Sequence, residues 1–276
     1  MVAVLKATVN CDMGEGFSLY KMGDDEGLMK TIHLANIACG FHASDFNIMD
    51  QTVQLAQQNH VLVGAHPSLP DRQGFGRREM VMDPDELKNC FTYQVGALFG
   101  FLISRGLKLN HIKPHGAVYG QTSRSLPLAK AAVSVCIAFS TPDHKVAFMG
   151  LPGTMHQKAA EEAGIPFIAG QHPDFHQWFA DLDYDDEGKL LITKHGVPCA
   201  RSRTHDPIPL LEIRTRVRTL LDIHQVTTNT GKLLPLNAGV REVSICCHSD
   251  TPDAVKIAEA VKGVVDESNK AAGYVV

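Results

Sequence analysis

Short apolar runs alternate with longer amphipathic ones along almost the whole chain. Residues 5–9, 34–39, 61–65, 111–113, 146–150, 166–169 and 243–247 read as strands. Between them, residues 24–33, 44–58, 84–104, 126–139, 154–163 and 210–224 read as helices, and a last helix runs from 252 towards 265. The boundaries carry their own chemistry. Asp83-Pro84-Asp85-Glu86 combines an N-cap, a proline in the first turn and an acid three residues on, and Gly106 ends the helix it opens. Ser44 and Thr251-Pro252-Asp253 are candidate caps. Residues 181–193 look irregular, with an acidic turn and room for a small hairpin.

Strand–helix alternation of this kind predicts a parallel sheet with helical crossovers. About seven such units predict a parallel (β/α) barrel, with an open doubly wound sheet as the alternative. No repeat or linker divides the chain, so residues 1–276 are expected to form one domain.

Composition narrows the function classes. The chain has 276 residues, 44% hydrophobic and 20% charged, which is ordinary for a globular protein. Its net charge of −4 and the scarcity of basic runs argue against nucleic acid as a partner. No apolar run has the length of a membrane span, and the first residues read as a strand rather than a signal segment. Seven scattered cysteines with no C-x-x-C pair suit a reducing, cytoplasmic setting. No phosphate loop, dinucleotide fingerprint or serine nucleophile elbow occurs.

The candidate chemistry follows the strands. After the first comes Asn10-Cys11-Asp12-Met13-Gly14-Glu15-Gly16, and after the second Gly40-Phe41-His42-Ala43-Ser44-Asp45. The third leads into His66-Pro67-Ser68 and then Gly74-Phe75-Gly76-Arg77-Arg78. The fourth ends in Lys113-Pro114-His115-Gly116, the sixth in Gln171-His172, and the last in His248-Ser249-Asp250. In a parallel barrel these positions share one rim, where catalytic groups of such folds converge. Taken singly, His42 could be a satisfied core histidine, and Asp12, Asp45 and Asp250 could be helix caps. Their recurrence at equivalent places favours a site. Asp12, His42 and His66 are candidate ligands of a divalent metal such as Mg, Mn or Zn. Lys113, Asp250, His115, His248 and Glu15 are candidate catalytic groups. Asp45, Arg77, Arg78 and Gln171 are candidate substrate-binding groups. Asp250 is expected beside Asp12, so that one of the two carboxyl groups is pushed towards neutral pH. His33, His60, His111, His144, His156, His195, His205 and His224 are assigned to packing or surface roles.

At the same residues the chain resembles the LamB/YcsF family, whose members are described as lactam-utilisation proteins and as the A-type subunit of 5-oxoprolinase. The resemblance rests on six ordered motifs: those around Asp12, His42, His66, Gly74–Arg78 and Lys113, and Cys247-His248-Ser249-Asp250-Thr251-Pro252. It implies a seven-stranded barrel of the glycoside hydrolase/deacetylase kind. It also implies ATP-dependent opening of 5-oxoproline to glutamate with a divalent cation and partner subunits B and C. One segment departs from the family pattern: Gln177 and Leu182 stand where a Glu and an Arg are usual. That departure leaves open another lactam or a non-catalytic complex subunit, and analogy of fold leaves open a metal-dependent carbohydrate deacetylase-like hydrolase.

Overall fold

The computed structural model describes residues 5–169, 209–228, 230–236, 242–249 and 252–275. The elements in chain order are β1 (Lys6–Met13), α1 (Asp25–Met29), β2 (Leu34–Ala38), α2 (Phe46–Gln58), β3 (Leu62–His66) and α3 (Pro84–Ser104). Then follow β4 (Leu109–Ile112), α4 (Ala117–Arg124), α5 (Leu126–Ala138), β5 (Ala147–Gly150), α6 (Met155–Ala163) and β6 (Phe167–Ala169). From residue 209 onward come α7 (Leu210–Ile223), β7 (Gln225–Thr227), β8 (Leu233–Pro235), β9 (Glu242–Cys247) and α8 (Ala254–Ala272).

Seven strands form one parallel sheet in the order β6-β5-β4-β3-β2-β1-β9. The last strand therefore pairs with the first. The sheet curls until its edge strands, β6 and β9, have Cα atoms within 8 Å of each other. This is a near-closed barrel, as the alternation predicts, and the open-sheet alternative falls. β7 and β8 form a separate antiparallel hairpin, which the periodicity does not reveal. The short α4 is also absent from the sequence reading, because Lys113 to Ser125 lacks a clear apolar stripe.

The barrel wall has two chemically different faces. Along β1, Ala7, Val9, Cys11 and Met13 are fully buried and belong to the apolar core between sheet and helices. The alternate residues Thr8, Asn10 and Asp12 carry the opposite chemistry, because successive side chains on a strand point to opposite faces. Inside the barrel, Asn10 donates to Ser244 Oγ at 2.8 Å, and Asn36 donates to Asn10 Oδ1 at 2.9 Å and to Asp12 Oδ1 at 2.8 Å. His111 Nε2–H donates to Asn36 Oδ1 at 2.7 Å. His111 is fully buried in this lattice, which gives it a packing role inside the barrel. Its ring lies against the backbone of Gly64: a Cβ there would sit 2.2 Å from Nε2, so only glycine admits it. Each buried polar atom in the lattice finds a partner, which removes the penalty of placing amides in a dry interior.

Candidate functional site

The C-terminal ends of β1, β3 and β4 bring together Asp12, Glu15, His66 and His115. Each offers one ligand atom, and these four atoms lie within 4.8 Å of one another. Asp12 comes directly from β1, and Glu15 follows two residues after that strand. His66 is the last residue of β3. His115 stands three residues past β4, held by its own N–H to the Pro67 carbonyl at 2.9 Å. Gly116 then turns sharply at φ +64°, where a Cβ would lie 2.4 Å from the Gly76 carbonyl. A residue with a side chain there would lift His115 and α4 off the Gly74–Arg78 loop.

Backbone carbonyls decide which imidazole nitrogens face the cluster. His66 Nδ1–H donates to the Lys113 carbonyl at 2.7 Å, leaving Nε2 as an acceptor 3.2 Å from Asp12 Oδ2. His115 Nε2–H donates to the Phe75 carbonyl at 2.9 Å, leaving Nδ1 as an acceptor. That Nδ1 is 2.9 Å from His66 Nε2 and 3.5 Å from Glu15 Oε1. Burial, reinforced by the neighbouring His42 and His66 imidazoles, pushes the His115 pKa well below the ordinary histidine range. Burial opposes ionisation of Asp12, but in the metal-free protein a proton on His66 Nε2, by its charge and hydrogen bond, and the Lys113 ammonium beside it outweigh that and hold its pKa well below the carboxylate range. Two imidazole lone pairs and two carboxylate oxygens thus face a common point. A divalent cation fits this set, and the fixing of each imidazole by its outer N–H is the arrangement metal sites use.

His42 is placed differently from the expectation. It lies outside the group of four. Its Nε2–H donates to Glu15 Oε1 at 3.1 Å, and its ring stacks on His115 at 3.7 Å between centroids and 5° between planes. Burial keeps it neutral, its pKa well below the ordinary value. It supports Glu15 and His115 from behind. The motifs assign Glu15 and His115 to action on substrate, and geometry groups them with the metal candidates instead.

Lys113, a candidate catalytic group, is paired inside the barrel. It is 3% exposed, and its ammonium has three partners: Asp12 Oδ1 at 2.7 Å, Cys246 Sγ at 3.3 Å and Asn10 Oδ1 at 3.4 Å. Burial favours the neutral amine, but the charges of Asp12 and Cys246 prevail and raise its pKa. Lys113 therefore holds Asp12 ionised and in place rather than facing the mouth. Nor is Asp12 the carboxyl that rises towards neutral pH.

The remaining candidates divide. Asp45 caps α2, accepting from the N–H groups of Asn47 and Ile48, and also accepts from Ser18 N–H at 2.7 Å. Both of its oxygens accept from backbone N–H groups, the capping alternative for this residue. Arg78 pairs with Asp71, whose carboxylate also takes the Gly74 N–H, and this closes the glycine loop on itself. Arg77 lies over the Phe75 ring with its guanidinium carbon 5.1 Å from the centroid. His248 follows β9 on the same rim, and Ser249 Oγ donates to Glu15 Oε2 at 3.3 Å, joining the end of β9 to the cluster. Asp250, Gln171, Gln177 and Leu182 lie outside the described residues. Among the described residues, burial pushes the rim thiol of Cys39 up to about 12, which removes it as a nucleophile. No helix of the described residues is long and apolar enough to cross a membrane.

Comparison with known proteins bears on this site. The model of the LamB/YcsF family matches residues 7–274. The chain is 44% identical over 269 residues to the lactam utilization protein lamB of Emericella nidulans, covering 98% of each chain. It is 38% identical over 259 residues to the A-type subunit of 5-oxoprolinase from Campylobacter jejuni, covering 94% of this chain and 93% of that one. The crystal structure of the lactam utilization protein from Thermus thermophilus superposes with a TM-score of 0.79 at 32% identity, covering 99% of both chains.

Proposed function

Because the chain belongs to the LamB/YcsF family, we propose that it is a cyclic-amide hydrolase that opens the ring of 5-oxoproline to glutamate, as the A-type subunit of a 5-oxoprolinase. The observation that carries the reading is the convergence of Asp12, Glu15, His66 and His115 on one buried point, with both imidazole lone pairs turned inward. Two imidazoles with two carboxylates favour Mn or Zn over Mg, which prefers an all-oxygen set. A cation bound there would supply Lewis-acid polarisation of an acyl oxygen or acidify a water.

The chain's own residues supply the rest. Lys113 keeps Asp12 ionised. His42 and Ser249 fix the two oxygens of Glu15. The carbonyls of Phe75 and Lys113 hold the two imidazoles in one tautomer. Asp250, which follows Ser249 in the chain, is our candidate for moving a proton to or from the ring nitrogen. A five-membered lactam is an unstrained, resonance-stabilised amide. Transfer of the terminal phosphoryl group of ATP to its oxygen, with ADP leaving, would make the ring carbon electrophilic; water would then add to that carbon, phosphate leave, and the carbon–nitrogen bond break as the nitrogen takes a proton. ATP as co-substrate, partner subunits B and C, a cytoplasmic location and a single-domain chain belong to this same reading.

Its test is direct. The protein is incubated with 5-oxoproline, 2-pyrrolidinone and larger lactams, with and without ATP and the partner subunits, and ring-opened amino acid is measured. Glutamate from 5-oxoproline is the expected product. Release from another lactam alone would reassign the substrate, and release from none would leave a binding or complex-forming role.

A further inference from the structure

With the Lys113 ammonium engaged by Asp12, Asn10 and Cys246, a donor for a substrate oxygen must come from elsewhere on the rim. The described residues contain a hydroxyl suited to the task. Tyr119 sits in the first turn of α4, four residues beyond His115, with its N–H on the Gly116 carbonyl at 3.1 Å. Its ring packs against His156 at 5.0 Å and 66°, which fixes its direction. Its hydroxyl oxygen is buried and has no hydrogen-bond partner in the structure. A buried phenol without a partner is costly, and such groups generally find one when the site is filled.

The helix that carries this hydroxyl starts against the cluster, with Ala117 N–H on the Gly76 carbonyl at 2.9 Å, in the loop whose Phe75 carbonyl takes the His115 Nε2–H. Burial chiefly, and then the charges of Cys246 and Asp12, push the Tyr119 pKa well above the ordinary phenol value. Cys246 and Asp12 are the two groups that flank the Lys113 ammonium, so the phenol lies in the field of that corner and stays protonated as a donor. Among the described residues, the other buried hydroxyl without a partner, Ser68 Oγ, would be 2.1 Å from a Cβ on Gly76 and lies against the loop there.

We propose that Tyr119 is a substrate-contacting residue whose phenol donates a hydrogen bond to the ring carbonyl oxygen of the bound lactam. It rests on the cyclic-amide reading above. The phenol holds that oxygen and the ring in position for the reaction, the orienting role of a fixed hydrogen-bond donor. The motif around Lys113 brings the residue to the site, because Gly116 starts α4 at the cluster and one helical turn then delivers Tyr119.

The experiment uses the full chain labelled with 3-fluorotyrosine, which reports its five tyrosines by fluorine resonance. Tyr119→Phe identifies the Tyr119 signal and keeps the ring against His156. The probes are 5-oxoproline, 2-pyrrolidinone, which has the ring carbonyl without the carboxylate, and proline, which has the carboxylate without the carbonyl. Binding of each is measured in parallel by calorimetry. The Tyr119 signal is expected to shift with 5-oxoproline and 2-pyrrolidinone and to stay still with proline. Tyr119→Phe should bind 5-oxoproline about tenfold more weakly, the worth of one hydrogen bond. Lactam binding with a silent Tyr119 signal, or a shift with proline alone, overturns the proposal and leaves the lactam reading intact. Absence of lactam binding to the wild type removes that reading and the proposal with it.

Discussion

Lys113→Met tests whether the interior of the barrel is organised around one ion pair. Methionine keeps most of the stem of lysine and removes the charge. Asp12 then loses a 2.7 Å partner in a wall where its other neighbours are Asn36 and His66. Breaking a buried pair from one side costs ~3–5 kcal/mol, because the remaining charge is stranded. For a chain of this size that is roughly 6–15 °C in melting temperature. The double variant Asp12→Asn/Lys113→Met carries no stranded charge and should recover a substantial part of the loss. The sign with pH follows from the depressed Asp12 pKa. Its contribution is complete above the unfolded carboxylate value of about 4 and disappears as pH falls through the lower folded value. The gap between Lys113→Met and wild type should therefore be widest near neutral pH and close in strong acid. Thermal and urea unfolding by circular dichroism, in chelator so that metal does not contribute, gives both quantities. A single-variant loss below about 1 kcal/mol, the level of an exposed pair, would refute the reasoning.

Three further outcomes follow from the same geometry. Saturating Mn²⁺ or Zn²⁺ at about 100 times its dissociation constant should stabilise the wild type by ~2.7 kcal/mol; His115→Ala should abolish that rise in a thermal-shift assay, while His42→Ala should only reduce it. His156 is buried with its pKa lowered to about 3, Nδ1 accepting from Leu151 N–H and Nε2 close to Thr122 Oγ1. Its folded value lies below the unfolded one, so it stabilises above pH ~6.5 and costs ~2 kcal/mol between pH 7 and 5, which His156→Gln should remove from the urea-unfolding difference. Gly64→Ala would drive a methyl to 2.2 Å from the His111 ring and should destabilise by ~1–3 kcal/mol in the same assay, whereas Gly263→Ala, in the middle of α8 where a Cβ meets nothing within 4 Å, should bring no loss.

Much of the fold is legible because the crossover helices are amphipathic and the strand runs are apolar on their outer face. The inner face is also written in the sequence: Thr8, Asn10 and Asp12 alternate with Val9, Cys11 and Met13. That period-2 alternation is enough to place Asn10, and His111 by analogy, inside the barrel. Polar barrel linings are easily taken for loop residues when a strand such as β4 is only four residues long. The site is legible as a rim and not as a ligand set. Glu15 follows its strand by two residues and comes back to the cluster only because Gly14 turns at φ +67°. His42 and His115 stand at similar distances from their strands, yet one stacks behind the other. Which imidazole nitrogen points inward depends on the Phe75 and Lys113 carbonyls, and a linear sequence does not show those contacts. The hairpin of β7 and β8 escapes a sequence reading because its strands are three residues each, too short for periodicity to register.

The central claim is that Asp12, Glu15, His66 and His115 form the centre at which the lactam ring opens. Glutamate release from 5-oxoproline, measured for wild type and Asp12→Asn in the complete system of ATP, divalent metal and partner subunits, tests it most directly. The account predicts turnover by the wild type and a loss of at least ~10²-fold in a folded Asp12→Asn. Unchanged turnover in that variant would contradict it.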